Sequence, residues 1–78
     1  MKNWKYIGWD GPEGLPCVLA FPAHAGLHKD FIPQGVFPRS AGFVSTVIVN
    51  GKVVFHVSGH STSLKLAPRQ EDSDAFNV

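Results

Sequence analysis

The sequence predicts an α+β fold: two antiparallel β-hairpins, a short helix between them and a C-terminal segment that closes the sheet as a strand and turn. Three observations carry this reading. Asn50-Gly51 stands between two β-branched runs, "DGPEG" at 10–14 stands between two shorter apolar runs, and prolines at 22, 33 and 38 leave little room for helix in the segment joining them.

The first hairpin runs from Trp4 to Phe21, with "WKYIGW" and "LPCVLAF" flanking the turn. Pro16 has no N–H to give a ladder, so regular pairing is expected to begin near Cys17. In the joining segment the prolines confine a helix to Ala23–Phe31, and Gly26 weakens even that. The second hairpin, Ala41–Gly59, is the strongest local signal, because Asn and Gly both accept the positive φ of a type I′ turn. A two-residue turn pairs Val49 with Lys52, so Ile48 faces Val53, Thr46 faces Phe55 and Val44 faces Val57. Side chains alternate along a strand, which puts those last six residues on one face. That face is expected to be the core. Phe43, Ser45, Val47, Val49, Lys52, Val54, His56 and Ser58 form the other, partly exposed face. In the tail, Ser61–Leu66 reads as an edge strand with Leu64 and Leu66 packed inward and Ser61 and Ser63 facing away. Pro68 then opens a helical turn whose N-terminal dipole suits Glu71 and Asp72, and Arg69 is placed to pair with Glu71, Asp72 or Asp30.

The 78 residues read as a single domain, 1–78. A chain of this size buries only about 60–65% of the surface its unfolded form exposes, so it builds one thin core. With 44% apolar and 17% charged residues the chain is too hydrophobic for a disordered segment. Its net charge of +1 sets up no strong field, which argues against a general nucleic-acid or membrane-surface binder. The single cysteine, Cys17, allows no internal disulfide and favours a reducing, cytoplasmic setting. No stretch has the pattern of a signal peptide, and no apolar run approaches the ~20 residues that span a bilayer.

The candidate chemistries differ in how well the spacing supports them. His24 with His28 and His56 with His60 form two i, i+4 pairs that could converge on a tetrahedral metal, though glycines interrupt both pairs and surface or core histidine is the simpler reading. Ser40, Ser61 and Ser63 with His56 or His60 and with Asp72 or Asp74 would be needed for hydrolysis, but no G-x-S-x-G turn is present. So small a domain also has little volume for a closed pocket, and we expect no enzyme and no cofactor. "GHSTSLK" has one glycine and places a leucine before Lys65, so it fails as a phosphate loop. "KNWKYIGW" mixes charge with stacking rings as single-stranded nucleic-acid binders do, yet tryptophans of a tiny domain serve more readily as core or hairpin anchors. Tryptophan, tyrosine and arginine dominate binding hot spots, which makes Trp4, Tyr6, Trp9 and Arg69 the candidate contact residues for a protein partner or for self-association. Open strand edges of a small sheet invite the same kind of contact. Protein contact is the leading reading, with a histidine metal site and single-stranded nucleic-acid binding as its alternatives.

"FP" at 21–22, "HKD" at 28–30, "SAGFV" at 40–44 and "GHSTSLKLAPRQED" at 59–72 together resemble a group of small uncharacterised phage and prophage proteins. The likeness spans about two thirds of the chain. It implies a small α+β protein of the host-cell cytoplasm and brings no assigned activity. His60 stands where that pattern commonly has an acid, so no charge-dependent role carries over to it.

Overall fold

A computed structural model describes residues 4–77. Four strands, β1 (Trp4–Asp10), β2 (Pro16–Pro22), β3 (Ser40–Val49) and β4 (Lys52–Ser58), form one antiparallel sheet in the order β2-β1-β3-β4, followed by a helix, α1 (Gln70–Phe76). Both hairpins stand where the sequence places them. The second has the predicted register from Val49↔Lys52 through Ile48↔Val53 and Thr46↔Phe55 to Val44↔Val57. Asn50 (φ 52°) and Gly51 (φ 77°) both take the left-handed conformation that a two-residue I′ turn demands. β1 joins the hairpins by pairing on its second side with β3, from Gly8↔Ser40 to Trp4↔Val44.

The joining segment departs from one short helix. It makes two 3-10 turns, Ala23–Ala25 and His28–Phe31, separated by extended backbone at Gly26. The second turn is started by Asp30, whose carboxylate accepts the Leu27 N–H at 3.0 Å. β2 begins at Pro16, opposite Asp10, one residue earlier than expected. The tail departs further. Ser61–Leu66 is no edge strand: Ser61 N–H donates to the Leu66 carbonyl (2.8 Å) and Leu66 N–H to the Ser61 carbonyl (3.3 Å), so the segment folds back on itself. Ser61 is fully buried rather than turned outward, and its Oγ accepts the Leu64 N–H at 3.2 Å. A short polar side chain that satisfies a local backbone donor is better placed inside such a turn than in water. What closes the sheet is therefore α1, seven residues long and about 10 Å from end to end at 1.5 Å per residue.

Each face of the sheet has its own cover. On the Tyr6 face, α1 lies across the sheet and Phe76 meets Tyr6 edge-on at 5.4 Å and Phe55 at 5.8 Å. Against the opposite face, Phe31 of the second 3-10 turn stacks on Phe21 with ring centroids 4.1 Å apart, and His28 sits edge-on between Phe21 and Phe43. The buried apolar residues are Tyr6, Ile7, Phe21, Ala41 and Val44, all at or near β1. The expectation that Val44, Thr46, Ile48, Val53, Phe55 and Val57 together form the core is corrected here. Val44 is buried, but burial fades toward the turn until Ile48 is 78% and Val53 62% exposed. The described pairing of β3 with β1 ends at Val44, so among the described residues the distal half of the second hairpin has β4 as its strand neighbour.

Candidate functional site

The C-terminal end of the fold is held by a buried ionic cluster. Asp72 is fully buried; its Oδ2 accepts the Tyr6 hydroxyl (2.7 Å) and the Arg69 backbone N–H (2.9 Å), and its Oδ1 accepts Arg69 Nε (3.2 Å) and Nη2 (3.0 Å). Arg69 Nη1 reaches on to Asp10 Oδ1 at 2.8 Å, with Glu71 at the outer limit of 4.0 Å. Its acidic partners are thus Asp72, Asp10 and Glu71, and not Asp30. Burial by itself would raise the Asp72 pKa, but the neighbouring Ser40 hydroxyl together with the hydrogen bonds from Tyr6 and Arg69 outweighs it and holds the carboxyl below its ordinary value. Burial first, then the adjacent carboxylate, pushes the Tyr6 phenol far above its ordinary range. A Cβ at Gly8 would collide with Ser40 Oγ and with Asp72, so only glycine lets β1 approach the cluster this closely. With Asp72 sealed from solvent, this cluster fixes structure and has no room for a substrate.

A different region offers surface. Trp4, Ala20, Val44, Ser45, Thr46, Phe55 and Phe76 line an apolar groove of about 310 Å³ beside α1. Ile48 and Val53 continue the Thr46/Phe55 face by alternation, so the groove opens onto the exposed distal hairpin. Val47 and Val49 are also exposed there, and Lys52 is the only charged residue between Val44 and Phe55. The sheet edges are less accessible. At the outer edge of β4, the Asn77 amide accepts the Phe55 N–H (2.8 Å) and donates to the Phe55 carbonyl (2.9 Å), standing in for a neighbouring strand. At the other edge, β2 is bracketed by Pro16 and Pro22.

The four candidate contact residues are thereby separated. Trp4, 48% exposed, lies on the groove. Trp9 is half-buried in another cleft, lined also by Arg39 and the exposed Phe37. Tyr6 is wholly inside the fold and Arg69 is committed to Asp72 and Asp10, so neither is a free contact residue. The histidine pairs do not assemble a metal site: among the described residues no group of three or more His, Cys, Asp or Glu stands within reach of one ion. His24 and His56 are exposed, whereas His28 is buried and donates Nε2–H to the Gly42 carbonyl at 2.8 Å. Burial draws the His28 pKa below its ordinary value, the Gly42 hydrogen bond opposes this, and the nearby Lys5 charge adds to the lowering. Of the three serines, Ser40 and Ser61 are buried, whereas Ser63 is exposed and lines a cavity with His60.

The distal hairpin and Phe37 were not among the contact candidates. No helix among the described residues is long and apolar enough to cross a membrane. Protein-family models, curated proteins and solved structures contain no match to this chain.

Proposed function

We propose that this chain is a protein-contact module that works through the distal β3–β4 hairpin and the apolar groove at its root. The observation that carries the proposal is the inverted burial: Asp72, Ser40, Ser61 and His28 are inside, while Ile48 and Val53 are outside on the face that continues the groove, with Val47 and Val49 exposed on the reverse of the same hairpin. A contiguous apolar surface of this kind marks an interaction site more often than a solvated face. Trp4, exposed on the groove, supplies the aromatic anchor that hot spots favour. Because the two sheet edges are blunted, contact is made through the face and tip of the hairpin rather than by strand addition. The partner proposed is another protein or a second copy of the chain.

The test is a paired comparison of wild type, Trp4→Ala and the double variant Ile48→Lys with Val53→Glu. Lys and Glu would face each other across the strands, where opposite charges are tolerated, so the hairpin is kept while its apolar face is lost. Protein captured from a host lysate, or the self-associated fraction in light scattering, should fall at least tenfold for the double variant. Equal capture and equal mass would refute the assignment.

A further inference from the structure

The opposite face of the sheet carries a second cavity, of about 250 Å³, where the loop at 59–63 approaches β1 and the second 3-10 turn. Lys5, His28, His60, Thr62 and Ser63 supply its polar wall, and Phe43 with Leu27 its apolar one. No aspartate or glutamate lines it. Lys5 is half-buried and its ammonium donates to the Gly26 carbonyl at 2.8 Å, which uses one of its three N–H groups. Among the described residues the ion pairs are all made by Arg69, so Lys5 has no carboxylate within ion-pair distance. The same charge is felt by His28, whose buried ring it disfavours in the protonated form.

We infer that this cavity binds a small phosphate monoester, with the phosphoryl group on Lys5, His60, Thr62 and Ser63 and an apolar body against Phe43. A half-buried cation with no carboxylate within ion-pair distance favours an anion, and a cavity this size, below the ~300–1,000 Å³ of drug-sized pockets, limits the ligand to a small one. Four separate donor side chains suit the three oxygens of a phosphoryl group better than the two of a carboxylate. The arrangement differs from a phosphate loop, because the cation comes from β1 and not from Lys65 of the serine-rich segment. The site lies on the other face from the apolar groove and does not depend on the contact reading.

Phenyl phosphate, inorganic phosphate and benzoate, each titrated into the full chain and followed by amide chemical shifts, test this directly. Phenyl phosphate should bind at least tenfold more tightly than either of the others, with shifts centred on Lys5, His60, Thr62 and Ser63. Lys5→Met should weaken it at least tenfold. Thr62→Val, at an exposed position, should weaken it severalfold without change in melting temperature, which keeps the test valid if Lys5→Met proves unstable. Saturation absent at 10 mM, shifts centred elsewhere, equal affinity for benzoate or an affinity indifferent to the loop variant would each overturn the assignment.

Discussion

The root of the sheet and the tip of its second hairpin obey opposite rules of burial. At the root, a carboxylate, two serines and a histidine are inside, and the carboxylate and the histidine are bonded to groups distant in sequence, Tyr6 and Asp72 being 66 residues apart. At the tip, isoleucine and valine stand in solvent on strands whose alternation is regular. The difference teaches that period-2 patterning determines which residues share a face, whereas burial depends on what tertiary structure covers that face. At the root the cover is α1 and the two 3-10 turns. At the tip nothing described in the fold supplies one.

If the root alone carries the fold, the largest loss follows from breaking its cluster. Asp72→Ala leaves the Arg69 guanidinium, its backbone N–H and the Tyr6 hydroxyl without their acceptor, and removing one partner of a buried pair costs about 3–5 kcal/mol. At ~0.05–0.15 kcal/mol per residue a chain of this length has roughly 4–12 kcal/mol in all, so the variant should lose a quarter or more of it and melt at least about 12 °C below wild type by circular dichroism. A melt close to wild type would show that the cluster is dispensable. Gly51→Val comes next. Nothing lies within 4 Å of a Cβ at Gly51, so the expected loss of about 1–3 kcal/mol comes from forcing a β-branched residue to positive φ. An unchanged chemical-denaturation midpoint would contradict the turn assignment.

Acid gives a gentler test of the root. His28 and Asp72 both have folded pKa values below their ordinary 6.5 and 3.8, so at falling pH the unfolded chain takes up each proton before the folded one does. Their stabilisation is complete above those ordinary values and is lost as pH falls toward the folded ones. The melting temperature should therefore decline in two phases, the first starting near pH 6.5 and the second below about pH 4. His28→Gln should abolish the first phase. A melting temperature that is flat from pH 7 to 5 would mean that His28 is not held neutral.

The sequence made the local half of this structure legible. Asn50-Gly51 set the register of the second hairpin, "DGPEG" marked the first turn, and Glu71 with Asp72 marked a helical turn that was expected from Pro68 and begins at Gln70. What stayed hidden is non-local. The joining of the hairpins through β1 and β3 has no turn to announce it, and the Tyr6–Asp72 bond connects opposite ends of the chain. Tyr6 and Arg69 were read as contact residues because composition favours them at interfaces, but the same donors satisfy a buried carboxylate. Trp4 kept its surface because it stands at the described end of the β1–β3 pairing.

The central claim is that the tip is not needed for folding, and one melt addresses it. In Ile48→Lys with Val53→Glu, two side chains that are 78% and 62% exposed are replaced on facing strands. Their present cross-strand contact is worth only about 0.2–1 kcal/mol, much of which an opposite-charge pair would restore. The account predicts a melting temperature within about 5 °C of wild type, the shift produced by roughly 1 kcal/mol in a domain of this size. A fall of 15 °C or more would contradict it, by showing that the distal hairpin belongs to the core.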